Sequence, residues 1–229
     1  MTSWFEVTSG VRQGCILSPL LFITFMDRIT REANPDKSRI NELLFADDQS
    51  LIHPDAGRLQ QHTNRLNQSC KNHNMRISIP KTEVMKISKT PSPLEITIDN
   101  NELKQVQEFK YLGSIFTQDG RMDREIETRT QKANAVTYQL SPLLTHPQIA
   151  METKQQLINS IFIPTLCYQA QTWTLNTSQQ RKINTCEMRC LRKTLNITRR
   201  DRIRNDIVRE QVGTTPCLKF IEKQRIKWL

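Results

Sequence analysis

The hydrophobic period changes once along this chain, at Gln118-Asp119-Gly120, and that change constrains the fold more than any other feature. Before it, short runs such as "ELLF", "QSLI", "RISI", "EITI" and "FKYLGSIFT" alternate with two stretches of helical spacing. After it, apolar residues recur only at intervals of three and four. The fold class expected is therefore α+β: an antiparallel sheet with two helices over residues 1–118, then an all-α bundle over residues 119–229.

Within the first part, "WFEV" at residues 4–7 reads as a strand. Ser18 is placed to cap, and Pro19 to open, a helix carrying Phe22, Phe25, Met26, Ile29 and Ala33. A second helix is expected over residues 56–73, with Leu59, His62, Leu66 and Cys70 on its inner stripe. In the second part, helices are marked by Met122, Ile126, Ala133, Val136 and Leu140; by Leu157, Ile158, Ile161 and Phe162 before Pro164; and by Ile183, Cys186, Cys190 and Leu191. Residues 201–212 and 216–229 add two more. The chain closes on "RIKWL" in mid-pattern without a C-cap, which leads us to expect a longer polypeptide.

The longest apolar run, "ILSPLLFITFM", is interrupted by Ser18, Pro19 and Thr24, well short of the roughly 18 residues a spanning helix needs. No membrane partner is expected. The N-terminal residues have neither a basic leader nor an apolar core, so an intracellular place, nucleus or cytoplasm, is expected rather than secretion. Six cysteines lack C-x-x-C pairs, and Cys70-x-x-His73 stands alone, so packing is expected in place of disulfides or zinc. His53, His62 and His146 have no evident catalytic company in the sequence.

The formal net charge is +10, and residues 181–229 hold 14 Lys and Arg against 5 Asp and Glu, a balance of +9. That end is the natural place for a polyanion, with Arg199, Arg200, Arg202 and Arg204 as candidate nucleic-acid contacts. A solvated helix face accounts for the same pattern.

The stretch "NELLFADDQSLIHP" puts Asp47 and Asp48 between two apolar runs, as two strands about a tight turn. Two readings fit an isolated Ala-Asp-Asp. Aspartate is favoured in turns because its side chain bonds nearby amides; paired acids on a rigid turn also suit hard cations, which prefer oxygen ligands. The order of the surrounding motifs separates these readings. "GVRQGCILSPLLF" precedes the acids, while "NMRISIPKTEVM" and "FKYLGSIFT" follow, with "YQAQTWTLN" and "EMRCLRKTLNITRRDRIRNDIVREQVG" further on. Taken together they resemble the reverse transcriptase of LINE-type, non-LTR retrotransposons, from Phe5 to Trp228.

That resemblance implies a partial polymerase palm over residues 1–118 and a thumb-like helical region over 119–229, basic at its C-terminal end. It makes Asp47 similar to the principal metal ligand and Asp48 to its acidic neighbour. Two Mg²⁺ ions would stabilise charge on the attacking and leaving oxygens as a primer 3′-hydroxyl attacks a nucleotide phosphorus. Arg12, Gln13 and Gly14 match the segment lying against template and incoming deoxynucleoside triphosphate. Lys81 matches a lysine near the pyrophosphate leaving group, and Tyr111, Leu112 and Gly113 match the hairpin that supports the primer end. The partners implied are an RNA template, a DNA primer and deoxynucleotides.

The family also uses an aspartate strand and fingers upstream of "RQG", for which eleven residues leave no room; Asp27 and Asp36 are in the wrong place to substitute. The chain by itself is therefore expected to be inactive and to bind Mg²⁺ weakly. The other function it could serve is that of a non-catalytic, nucleic-acid-binding remnant of a mobile element.

Overall fold

The computed structural model describes residues 10–11, 14–34, 41–88, 90 and 92–228. The "WFEV" stretch, Arg12, Gln13 and Asp36 lie outside them. The chain forms two compact units, residues 1–86 with 90–107, and residues 87–89 with 108–229.

In the first unit, helix α1 (Ser18–Ala33) packs against α2 (Ala56–Asn72). Met26, Ile29 and Ala33 meet Leu66 and Cys70, with Phe22 and Leu51 at the margin, so the 3.6-residue stripes read from sequence are the buried faces except at Phe25, which is exposed. Ser18 does not cap α1. Leu17 holds the N-cap position without a side-chain bond, and Pro19 sits in the first turn, where its missing amide leaves no helical bond unmade. Asp55 caps α2, accepting from the Arg58 amide at 2.8 Å.

The expected antiparallel sheet is instead four separate two-stranded ladders among the described residues. Strands β1 (Glu42–Phe45) and β2 (Asp48–Leu51) form the first hairpin, in the register Glu42↔Leu51 to Phe45↔Asp48. Strands β4 (Thr97–Ile98) and β5 (Asn101–Glu102) form a second around Asp99 and Asn100, both with positive φ. The third ladder is parallel, joining β3 (Glu83–Val84) to β6 (Lys104–Gln105), with Lys104 and Glu83 paired at 3.0 Å.

Two physical features account for this difference. The strands are only two to four residues long, and the exposed Leu43, Leu44 and Phe45 of β1 do not alternate in burial as a half-covered sheet requires. The alternation in "LEITIDNNELK" is spent locally, on the tight β4–β5 hairpin and on seating Ile96, Ile98 and Leu103 against Val84.

In the second unit, β7 (Glu108–Tyr111) and β8 (Ser114–Thr117) pair antiparallel ahead of the helices. Helix α3 (Asp123–Gln139) leads through α4 (Ser141–Leu144), α5 (Met151–Leu157) and α6 (Ile163–Leu166) to α7 (Thr177–Thr194), α8 (Asn205–Val212) and α9 (Cys217–Trp228). Residues 158–162 are a π-turn, closed by the Ile163 amide on the Ile158 carbonyl. Pro164 explains it: proline supplies no amide and its ring would strike the carbonyl four residues back, so the helix widens just before it.

Asn176 and Gln179 form a reciprocal capping box that starts α7. Phe162, Trp173, Ile183 and Leu191 are nearly fully buried in the core of this unit. Truncating a buried aromatic such as Phe162 costs about 3–5 kcal/mol. Cys167, Cys186, Cys190 and Cys217 share this core as free thiols, and the packing read from the spacing of Cys186 and Cys190 is what these two do. Burial pushes the Cys186 thiol up to about 12 and the Cys190 thiol up to about 11.

The division between units falls one hairpin earlier than the change of period. The β7–β8 hairpin belongs with the helices because α3 and the segment after α6 hold its turn, as described below.

Candidate metal and nucleic-acid site

Phe45 and Asp48 are the last pair of the β1–β2 ladder, which leaves Ala46 and Asp47 as a two-residue turn. Ala46 adopts φ +53°, a left-handed conformation that costs a residue bearing a Cβ about 1–2 kcal/mol. Asp47 and Asp48 are both exposed, and among the described residues neither carboxylate has a hydrogen-bonding or ionic partner. Their side chains therefore do not serve as turn-stabilising acceptors in the manner of an ordinary Asx turn.

Behind the other end of the hairpin lies a polar chain that sequence reasoning missed. The His53 and His62 ring nitrogens, Nε2 and Nδ1, lie 2.8 Å apart, and His62 Nε2 is 3.7 Å from Glu42 Oε2. Gln49 donates to the other Glu42 oxygen, tying β2 to β1. His62 is 1% exposed and its Nε2 makes no hydrogen bond. Burial, and then the His53 charge, pull the His62 imidazole down to about 4, while burial raises the Glu42 carboxyl despite bonds from Gln49 and Asn34. The inner stripe of α2 already placed His62 inside. What the sequence concealed was that Glu42, on a strand, would face it.

Lys81 ends a 3₁₀ turn, Ile79–Lys81, and is exposed in the first unit. Gly14 is exposed with φ +81°, and a Cβ there would meet nothing within 4 Å, so backbone conformation is what calls for glycine at this position.

The Tyr111-Leu112-Gly113 turn is held by a dense polar network. Leu112 and Gly113 both have positive φ, +48° and +88°, the signature of a type I′ hairpin. The Leu112 carbonyl accepts from Gln169 Nε2 at 2.9 Å and from the Tyr168 hydroxyl at 3.2 Å. The Gly113 carbonyl accepts from an Arg129 terminal nitrogen at 2.5 Å. Arg129 Nε donates to Glu125 at 2.6 Å, and the other Glu125 oxygen accepts from the Ile115 amide at 2.9 Å. The guanidinium lies 4.5 Å from the Tyr168 ring centre. A Cβ on Gly113 would sit 3.1 Å from the Tyr168 ring and press on it, while the positive φ is what calls for glycine.

At the basic end, Arg199 and Arg200 are exposed on a 3₁₀ turn, Arg199–Asp201, started by Thr198. Arg202 is exposed with φ +54°, and Arg204 approaches Asp206 at 4.0 Å with both side chains largely in solvent. An ion pair so exposed contributes little, about 0–1 kcal/mol, and leaves Arg204 available. Arg192 fixes the segment from below, donating to the Ile203 carbonyl at 3.0 Å and to Asn205 at 2.8 Å.

The structure thus brings Asp47 and Asp48 to one turn, and gathers Arg199, Arg200, Arg202 and Arg204 into one exposed segment. Among the described residues no group of three or more His, Cys, Asp or Glu side chains forms a complete metal cage. Two unpaired, solvent-facing carboxylates on a short turn are nonetheless chemically suited to Mg²⁺, which takes one or two carboxylates and keeps several waters. No helix among the described residues is long and apolar enough to cross a membrane.

Comparison with known proteins defines the class. The profile of the reverse transcriptase (RNA-dependent DNA polymerase) family matches residues 2–116, and the chain belongs to that family. It is similar to a transposon-derived protein of Caenorhabditis elegans, 24% identical over 197 residues that make up 82% of this chain and 70% of that protein. It is also similar to the retrovirus-related Pol polyprotein of the type-1 retrotransposable element R2 of Nasonia vitripennis. That match is 28% identical over 141 residues, or 54% of this chain and 14% of the polyprotein.

Proposed function

We propose that this chain is part of a non-LTR retrotransposon reverse transcriptase, its first unit belonging to the palm and its helical unit acting as a thumb. The family match and the likeness to the R2 polyprotein support the reading. The observation that carries it to chemistry is the exposed, unpartnered pair of Asp47 in the two-residue turn and Asp48 at the start of β2.

Asp47 and Asp48 would hold Mg²⁺, which when bound supplies charge stabilisation to the oxygens of an in-line phosphoryl transfer. The short ladder fixes the backbone that carries the two acids, while the Glu42–Gln49 bond holds the strands in register behind them. Lys81, exposed at the end of its 3₁₀ turn, would place a cation beside the departing pyrophosphate. Arg12, Gln13 and Gly14 would lie against template and incoming deoxynucleotide. The Tyr111–Gly113 turn would support the primer end, and the Arg199–Arg204 segment would neutralise phosphates of an RNA template or DNA primer without reading sequence.

A non-catalytic, nucleic-acid-binding remnant is the second reading, favoured by the exposed arginine segment alone. The two are separated by measuring affinity for an RNA template carrying a recessed DNA primer and the next deoxynucleotide, with and without Mg²⁺ at constant ionic strength. The polymerase reading expects tighter binding with Mg²⁺ that is lost in Asp47→Asn. Binding that ignores both Mg²⁺ and Asp47 supports the remnant.

A further inference from the structure

Arg129 is a buried and fully engaged cation of the helical unit. It is 5% exposed, its Nε is spent on Glu125, a terminal nitrogen on the Gly113 carbonyl, and its guanidinium lies over the Tyr168 ring. Glu125 balances its charge and is itself fully buried. An arginine so placed cannot also neutralise a phosphate. Replacing such a buried pair by apolar groups is often neutral for stability, so stability alone gives little account of its presence.

What the pair does is hold a turn. Both carbonyls of the type I′ turn, Leu112 and Gly113, point into donors: Gln169 and Tyr168 for the first, Arg129 for the second. Free carbonyl oxygens at a hairpin tip would repel the oxygens of a nucleic-acid backbone. Here the negative ends of both dipoles are covered. Glu125 fixes the amide of Ile115, so three backbone polar groups at and just after the turn are tied to side chains from α3 and the segment after α6.

The geometry points to Arg129, oriented by Glu125, as the positioning residue of the Tyr111–Gly113 turn: it keeps the turn's carbonyls turned away from a polynucleotide end, so that the hairpin seats the 3′-terminal nucleotide of a recessed primer. This rests on the nucleic-acid reading of the preceding section. Arg129 touches no substrate; it acts through the turn.

The test uses the 229-residue chain and an RNA template with a DNA primer carrying 2-aminopurine at its recessed 3′ end and a second fluorophore at the far end. Anisotropy of the distal label reports total binding, and 2-aminopurine emission reports seating of the terminal nucleotide. Because Arg129→Met alone strands a buried carboxylate, it is combined with Glu125→Gln, whose amide oxygen can still accept from Ile115. Tyr168→Phe, which removes only the hydroxyl to Leu112, gives a milder second variant.

The expected result is a terminal 2-aminopurine response in the parent, reduced in Tyr168→Phe and lost in the double variant, with distal affinity unchanged at matched salt. Amide exchange at residues 112–115 should quicken in the same order. A terminal response in the double variant equal to the parent's, a loss of terminal response only in proportion to distal affinity, or a parent that binds without any terminal response would each overturn the inference while leaving the family assignment standing. A parent that binds no primer–template at all would overturn the nucleic-acid reading, and this inference with it.

Discussion

Phe45 and Asp48 face each other as the closing pair of the first hairpin, and this places Asp47 in the turn with Asp48 on the first residue of the returning strand. Like charges on adjacent residues repel, weakly where both are exposed to solvent, and among the described residues no cation pairs with either. Replacing both by Asn removes the repulsion and keeps comparable turn-forming ability. The doubly substituted chain should therefore unfold at the same temperature as the parent or higher, and stabilisation of the parent by millimolar Mg²⁺ should disappear. Thermal unfolding of both chains with and without Mg²⁺ checks this. Clear destabilisation by the Asn pair, with no Mg²⁺ effect on the parent, would mean that the acids only build a turn.

The buried His62 gives the first unit a defined acid sensitivity. Its imidazole titrates near 4 when folded and near 6.5 when unfolded, so between these values the unfolded chain binds more protons. Stability should be intact above 6.5 and decline as pH falls toward about 4, at up to about 1.4 kcal/mol per pH unit. Glu42 acts in the opposite sense: its raised folded value means that its contribution is lost as pH rises from 4.5. His62→Gln isolates the histidine, and pH-dependent urea unfolding should show a flatter profile for that variant across this window. An unchanged slope would show that His62 carries no such linkage.

How much of this was legible in the sequence depended on the range of each contact. The acid hairpin and the two helices of the first unit were visible because two apolar runs about Asp-Asp and the helical stripes are local signals. The sheet was not: whether Val84 pairs with Gln105 in parallel is settled by partners twenty-one residues apart. Ser18 shows the limit of a local rule, since Leu17 takes the cap position and leaves the serine inside the helix.

Arg129 and Glu125 were hidden differently. At i, i+4 they read as an exposed helix pair. The available signal was their place on the stripe: between the buried Ile126 and Ala133, position 129 falls on the inner face, so a charged residue there had to be paired. Its bond to the Gly113 carbonyl sixteen residues back has no signature in the sequence.

Binding to nucleic acid should be electrostatic and tolerant of sequence. Each of Arg199, Arg200, Arg202 and Arg204 that contacts a phosphate should contribute roughly 0.7–0.9 to the slope of log affinity against log salt concentration. Replacing all four by Gln should flatten that slope by about 3 and weaken binding similarly across unrelated sequences. Anisotropy titrations over a salt series supply the test. A slope that does not change would assign the arginines to solubility instead.

The central claim, that Asp47 and Asp48 form a metal-binding pair, is tested most directly by adding Mn²⁺ as a paramagnetic stand-in for Mg²⁺ to the isotopically labelled 229-residue chain. Substoichiometric Mn²⁺ should selectively broaden the amide resonances of Ala46, Asp47, Asp48 and Gln49, excess Mg²⁺ should restore them, and Asp47→Asn with Asp48→Asn should abolish the effect. Broadening scattered over many acidic residues, or persisting at this turn in the doubly substituted chain, would contradict it.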